Sequence, residues 1–309
     1  MERPYILHLF TPARQASPFD VNMAADAGYQ LVVPYAEVAL PGVMGLTQDA
    51  IFSRGPKGVA RTGIFIGGRD AVLATEMLDA ARKAMVPPFE ISVMADPSGA
   101  YTTAAAMVAA VERQLRRAHH TTLSGRRVLI LGGTGPVGRV AAVMAARAGA
   151  AEVVLSSHRG PALAEEAAEE MQQRFGVSGL RGVGAQDPLA VREALREADV
   201  VLGTAAAGVQ VMSADDRRAA PRLLVAADVN AVPPEGLAGV GVMDDGRALE
   251  GTQAVGIGAL AIGDIKYQTQ HRLLLRMRLR EGGRALYLGV VEAFEMAREV
   301  AAEADAAKA

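Results

Sequence analysis

One stretch constrains the fold more than any other. The apolar run Arg127 to Leu131 passes through Gly132 into Gly133-Thr134-Gly135-Pro136-Val137-Gly138, and then into an alanine-rich segment with helical spacing. A G-x-G-x-x-G run placed between a strand and a helix belongs to a parallel α/β crossover. Gly133 and Gly135 let the backbone turn and approach a pyrophosphate, Gly138 permits close helix packing, and the helix amides hold negative charge. The bland reading is a glycine-rich turn that binds nothing, and the strand–turn–helix context weighs against it.

The rest of the chain repeats the same alternation without a serine- or proline-rich linker or an internal repeat. The expected strands of the first third are Tyr5 to Phe10, Leu31 to Val33, Ala50 to Phe52, Gly63 to Ile66 and Ile91 to Met94. A long helix from about Thr102 to Ala118 ends in the basic and polar segment Arg116 to Ser124, where a domain boundary is expected. Beyond it, strands are expected at Glu152 to Ser156, Val200 to Gly203 and Leu223 to Ala227, with helices near Val137 to Arg147, Ala162 to Arg174 and Leu189 to Glu197. The tail from Asp264 reads as two helices, at least one of which crosses back onto the first domain. The expected fold class is therefore α/β: an N-terminal domain with a parallel sheet (1–120), a Rossmann-type dinucleotide-binding domain (121–263), and C-terminal helices (264–309) that pack back on the first domain.

An NAD-selective site of this type carries an Asp or Glu about 20 residues past the glycine loop, at the end of the second strand. Here that place reads Ser156-Ser157-His158-Arg159. With no carboxylate to repel a 2′-phosphate, and Ser157, His158 and Arg159 available to bind it, NADP is the expected cofactor. NAD stays open as a second one. The alternative for Arg159 is a surface ion pair with Glu165 or Glu166.

Other positions carry two readings each. Ser17-Pro18-Phe19-Asp20 has the form of a capping box, yet Asp20 also suits a carboxylate that binds a heterocycle. Gln48, Asp49 and Arg54 would stand at the ends of the expected strand Ala50 to Phe52, either as ligand groups or as ordinary solvated ends. The hydroxyls in Asp96 to Thr103 are helix caps or line a cleft. Thr204 to Gly208 has only small side chains, fit for a loop beneath a nicotinamide ribose or for tight packing. Asp228 to Pro234 leaves the next strand in the same way, with Asn230 as a polar candidate. Gly256 to Gly263 suits close approach of a cofactor, and Lys266 would then fall in a first helical turn, where the helix dipole disfavours it, so that it points to a ligand.

Composition removes whole classes of function. Without cysteine there is no disulfide framework, thiolate metal site or cysteine nucleophile, which suits a reducing cytoplasm. The 32 basic and 34 acidic residues nearly cancel, arguing against nucleic acid or an anionic membrane as partner. A small molecule is the expected ligand. No signal peptide or membrane-spanning run is expected. The five histidines show no metal spacing, and neither a G-x-S-x-G elbow nor a phosphate-loop lysine is present, so no metal, hydrolase or kinase site is expected.

Longer stretches then carry a resemblance: SPFDVNMAADAGY (Ser17 to Tyr29), LTQDAIFSR (Leu46 to Arg54), TGIFIGG (Thr62 to Gly68), ADPSGAYTT (Ala95 to Thr103), GGTGPVG (Gly132 to Gly138), DVNAVPPEGLAGV (Asp228 to Val240) and VGIGALAIGDIKYQTQ (Val255 to Gln270). The chain resembles methylene-tetrahydromethanopterin dehydrogenases of the methylotroph type over nearly its whole length. The resemblance implies oxidation of methylene- to methenyl-tetrahydromethanopterin with NADP or NAD, within one-carbon oxidation from formaldehyde, by a homo-oligomer. It carries over Asp20, Gln48, Asp49, Thr102 and Lys266 as substrate-side residues, with Asp20 and Lys266 at the chemistry. Gly133, Thr134, Gly135, Pro136, Val137, Gly138, Ser157, His158, Arg159, Ala207, Asn230 and Gly256 are the cofactor-side ones. A methylene-tetrahydrofolate dehydrogenase and a non-catalytic NADP-binding sensor are the alternatives.

Overall fold

The computed structural model describes residues 3–186 and 188–306. In chain order they form β1 (Ile6–Phe10), α1 (Pro18–Asp26), β2 (Leu31–Tyr35), α2 (Val43–Phe52), α3 (Pro56–Val59), β3 (Thr62–Ile66), α4 (Ala71–Lys83), β4 (Ser92–Ala95) and α5 (Ala100–His119). There follow β5 (Arg127–Leu131), α6 (Pro136–Arg147), β6 (Glu152–Ser157), α7 (Pro161–Phe175), β7 (Leu180–Gly184), α8 (Pro188–Glu197), β8 (Val200–Gly203), α9 (Ala214–Arg218), β9 (Val225–Asp228), β10 (Asp245–Ala248), β11 (Val255–Ile257), α10 (Ala259–Leu279), β12 (Tyr287–Leu288) and α11 (Val290–Ala306).

The chain divides into two compact units. The first takes residues up to Thr102 together with Tyr267–Met296, and the second takes Thr103–Lys266 with the chain from Ala297 on. Each is discontinuous, so the tail returns to the first unit before it rejoins the second.

Unit 1 is a five-strand sheet in the order β12-β4-β3-β1-β2, every pair parallel. The tail supplies β12, whose Tyr287 and Leu288 pair with Val93 and Met94. The strands β3 and β4 are buried along their whole length, as expected of a sheet covered on both faces. Their valine, isoleucine and phenylalanine side chains contribute about 1.5–3 kcal/mol each on burial. The chain starts at β1 and winds first to β2, then back past β1 to β3, so strand order reverses between β1 and β3. In open α/β sheets, ligands bind at the carboxyl ends of the strands beside such a reversal.

One expectation fails here. Ala50-Ile51-Phe52 is not a strand but the last turn of α2, and Gln48 and Asp49 lie on that helix. Arg54 is not at a ligand edge either. It donates to Thr62 Oγ1 at 2.9 Å and to the Arg61 and Pro4 carbonyls, tying down the amino edge of the sheet.

Unit 2 has seven strands in the order β10-β11-β9-β8-β5-β6-β7; all pairs are parallel except β10 on β11. Read from β5 outward this is the doubly wound 3-2-1-4-5-6 arrangement with an added antiparallel edge strand, and its reversal falls between β5 and β8. One face carries a core of Leu129, Leu131, Leu195, Val201, Leu223 and Leu237 with their neighbours. The tail is fastened by Arg298, which donates to both oxygens of the buried Glu112 at 2.7 and 2.8 Å, a bidentate pair that fixes orientation as well as charge. No helix among the described residues is long and apolar enough to cross a membrane.

Candidate active site

The glycine loop is built so that its carbonyls point inward. Gly132 O accepts from Gly135 N at 3.1 Å and from Thr204 Oγ1 at 3.1 Å. Thr134 O accepts from Arg139 Nε at 3.0 Å, and Arg139 is itself ion-paired with Glu170 of α7. Gly133 N is bound to Ser156 O at 3.0 Å. Carbonyls that would repel a phosphate are thus engaged. Pro136, the first residue of α6, has no N–H, so the amides of Val137 and Gly138 form the open first turn of the helix.

At Gly133 and Gly138 nothing larger than glycine fits, whereas Gly135 has ordinary van der Waals room. A Cβ on Gly133 would stand 2.8 Å from Leu155 Cα, and one on Gly138 would stand 2.8 Å from both Gly132 O and Thr204 Oγ1. The geometry fits a dinucleotide diphosphate seated on the helix end. Thr204, which the sequence offers only as the first residue of a loop of small side chains, gains a definite role here. It follows β8 at the strand-order reversal, and its hydroxyl reaches Leu131 O and Gly132 O at 3.1 Å each, closing the loop from the neighbouring strand.

At the end of β6, Ser157 is buried and its Oγ accepts from Arg159 N at 3.2 Å, while His158 and Arg159 are exposed. The expected alternative for Arg159 is not realised. Glu165 accepts from Gly182 N at 2.6 Å, and among the described residues no ion pair to Arg159 is formed.

After β8 and β9, two loops are stitched together. Asn230 Oδ1 accepts from Gly208 N at 3.1 Å and Val232 N at 3.0 Å, and its Nδ2 donates to Pro234 O at 2.7 Å. Asn230 therefore sets the shape of the loop that displays the exposed Ala207. Asp228 beneath it accepts from Asn230 N and Leu237 N, and burial pushes its carboxyl above the usual carboxylate range although those amide bonds oppose the shift. Gly256 lies in the middle of β11, not in a flexible loop. A side chain there would meet Leu249 Cδ2 at 2.9 Å, so core packing explains the glycine.

In unit 1, a cavity of about 580 Å³ opens at the carboxyl ends of β1 and β3, at the reversal of strand order. It is lined by Thr11, Arg14, Ser17, Asp20, Arg69 and Ser98 among others. Asp20 is 4% exposed and accepts from Gln270 Nε2 at 3.2 Å. The capping box is absent, since Ser17 precedes α1 without any side-chain cap bond, and Asp20 serves the cavity instead. Thr102 is the opposite case. It is fully buried, its hydroxyl donates to Asp96 Oδ2 at 2.6 Å, and Asp96 Oδ1 takes the amides of Tyr101 and Thr102, so this pair caps α5 rather than lining the cavity. Ser98 is the hydroxyl of that segment that does line it. Gln48 and Asp49 are not among the lining residues.

Lys266 is also displaced from its expected setting. The helix starts at Ala259, not at Asp264, so Lys266 sits two turns in, half-buried, and the dipole argument for it does not hold. What remains is its spacing: it precedes Gln270 by one turn on the same stripe of α10. No group of three or more His, Asp or Glu fit to hold a metal ion occurs among the described residues.

A doubly wound sheet with an open glycine loop, and a second parallel unit holding a carboxylate-bearing cavity at its own strand reversal, define the nicotinamide-dependent dehydrogenase class of α/β protein. Solved structures agree on the fold. Quinate dehydrogenase from Corynebacterium glutamicum in complex with NAD superposes with a TM-score of 0.53 at 14% identity, covering 95% of this chain and 98% of that one. The 5-ketofructose reductase of Gluconobacter gives 0.52 at 18%, covering 96% and 99%. Residues 18–98 match the family described as methylene-tetrahydromethanopterin dehydrogenase, N-terminal. The NAD(P)-dependent methylenetetrahydromethanopterin dehydrogenase of Methylorubrum extorquens is 49% identical over 299 residues, 96% of this chain and 98% of the relative. The bifunctional protein MdtA of the same organism is 31% identical over 296 residues, 96% and 99% of the two chains. The chain belongs to the methylene-tetrahydromethanopterin dehydrogenase family.

Proposed function

We propose that this protein oxidises methylene-tetrahydromethanopterin to the methenyl form with NADP, and with NAD as second acceptor, in the oxidation of formaldehyde-derived one-carbon units. The observation that carries the proposal is a relation to a dehydrogenase along nearly the whole chain. The glycine loop at the reversal of unit 2 and the Asp20 cavity at the reversal of unit 1 support the same reading. When bound, the nicotinamide supplies the hydride acceptor. The bridging carbon lies between two nitrogens whose lone pairs stabilise the amidinium cation left behind, so no base is required at that carbon. Positioning and water exclusion are then the protein's main tasks.

Asp20, buried and held by Gln270, favours the positive charge that develops on the ring and accepts hydrogen bonds from it. The family resemblance alone supports Lys266 as a group that orients the ring. The family resemblance alone supports Gln48 and Asp49 as substrate contacts; Thr102 acts through the Asp96 turn. In unit 2, Val137 and Gly138 hold the diphosphate, Thr134, Gly135 and Pro136 shape its turn, Ser157, His158 and Arg159 meet the 2′-phosphate, and Ala207 and Asn230 flank the nicotinamide ribose. The family resemblance supports a homo-oligomer, and the cysteine-free composition suits the cytoplasm.

The test is a side-by-side kinetic comparison of methylene-tetrahydromethanopterin and methylene-tetrahydrofolate with NADP and NAD. A higher kcat/KM on the methanopterin carrier is expected. A large preference for folate would reassign the substrate, and tight NADP binding without binding of either carrier would make the protein a sensor.

A further inference from the structure

The unit 1 cavity is charged in two senses. Its buried end holds the Asp20 carboxylate, whose Oδ2 lies 3.8 Å from where a Cβ on Gly67 would stand. Two residues further, at the exposed end, Arg69 makes no hydrogen bond or ion pair among the described residues. Its neighbour Asp70 makes no ion pair with it; Asp70 Oδ1 accepts from the amides of Val72 and Leu73 at 2.9 Å, capping α4. Arg14, also in the lining, reaches only Glu37, at 3.9 Å between two largely exposed side chains. A pair of that kind contributes little and is easily exchanged for a better anion.

The turn that carries Arg69 is pinned from the segment that follows β4. Ser98 adopts the left-handed conformation at φ +51°, ψ +29°, and from there its Oγ donates to Gly68 O at 2.8 Å. Gly68 itself has φ +105°. A non-glycine residue is kept in that region only where its surroundings fix it, and such positions gather at ligand clamps.

We propose that Arg69, assisted by Arg14, binds an anionic group on the side arm of the one-carbon carrier whose ring reaches Asp20, and is thereby a specificity-determining residue. The inference rests on the proposed dehydrogenase function. The chemistry is that of a polar ligand with two unlike ends. A carboxylate at the buried end accepts from ring N–H groups, and guanidinium groups at the mouth take a phosphate or carboxylate through paired N–H donors. A cavity of about 580 Å³ accommodates a bicyclic ring with the beginning of its arm.

The experiment uses the whole purified protein and the variants Arg69→Ala, Arg69→Lys and Arg14→Ala/Arg69→Ala, each checked for unchanged Tm and NADP affinity. Binding of tetrahydromethanopterin is measured by calorimetry without nucleotide, and binding of the armless 6-methyltetrahydropterin by competition. Arg69→Ala should weaken the armed carrier about three- to tenfold and leave the armless ring unchanged. The double variant should weaken the armed carrier further, Arg69→Lys should recover part of the loss, and the salt dependence of binding should flatten. Tetrahydrofolate tells the sources apart: a parallel loss means a shared anion site, and no loss means that phosphate is read. Unchanged binding in the variants, or equal loss with the armless ring, overturns the proposal and leaves the dehydrogenase reading intact. Failure of the unaltered protein to bind tetrahydromethanopterin overturns both.

Discussion

Arg159 offers the sharpest quantitative test of how the nucleotide is chosen. It stands just past β6, exposed, with Glu165 diverted to Gly182 N at 2.6 Å, and among the described residues no carboxylate pairs with its guanidinium. A charge-assisted contact with a 2′-phosphate contributes about 1.5–3 kcal/mol. Exposure to water brings the figure toward the lower end, about 1.5 kcal/mol, or roughly tenfold in affinity. Arg159→Ala should therefore raise KM for NADP about tenfold, leave KM for NAD within about twofold, and leave kcat nearly unchanged because the contact is remote from the transferred hydride. Ser157→Asp should go further. Its carboxylate would repel the phosphate and accept from the ribose hydroxyls of NAD, reversing the preference. The assay is steady-state kinetics with both nucleotides at two ionic strengths, since salt should narrow the NADP effect. An equal loss with NAD and NADP in Arg159→Ala would refute the 2′-phosphate assignment and make the residue a support of the loop.

Three further substitutions separate loop, core and titration effects. Thr204→Val removes the hydroxyl shared between Leu131 O and Gly132 O, a loss of about 1 kcal/mol, and should raise KM about fivefold for both nucleotides, with Thr204→Ser close to the parent; an effect on one nucleotide alone would contradict this. Gly256→Ala presses on the flexible end of Leu249 and should lower Tm by a few degrees with cofactor KM unchanged, whereas a raised KM at constant Tm would return Gly256 to the cofactor site. Burial, with the Arg54 charge nearby, holds the His8 imidazole below its usual value of 6.5, so the unfolded chain binds the extra proton first. Stability should therefore fall as pH drops through about 6.5, and His8→Gln should flatten that part of a Tm-against-pH profile; an unchanged slope would show that His8 does not carry it.

Local patterns were legible where they were long. The helix expected over Thr102 to Ala118 forms as Ala100–His119, and the strand–glycine loop–helix unit stands where the sequence places it. Short apolar runs were not. Ala50-Ile51-Phe52 reads equally as strand or buried helix, and tertiary packing selects the helix. The strands β7, β10, β11 and β12 are brief or glycine-bearing, too short to stand out as patterns, and exist because neighbours pair with them. Glycines also hide the start of α10: Gly263 reads as loop, yet it is inside the helix, so Lys266 stands two turns in and not in the first turn. At the site, the sequence singled out Asp20 but not Gln270, 250 residues away, because that hydrogen bond depends on the tail returning to unit 1. For Thr204 the loop was legible but the part played by its hydroxyl was not, since that depends on β8 lying beside β5.

The central claim is direct hydride transfer from the methylene bridge of the pterin carrier to a nicotinamide. It is tested most directly with carrier dideuterated at that bridge, purified protein and NADP, followed by NMR of the reduced nucleotide. One deuterium per methenyl product should appear on the nicotinamide ring, with none released to water. Label in the solvent, or methenyl product formed without reduced nucleotide, would contradict the account.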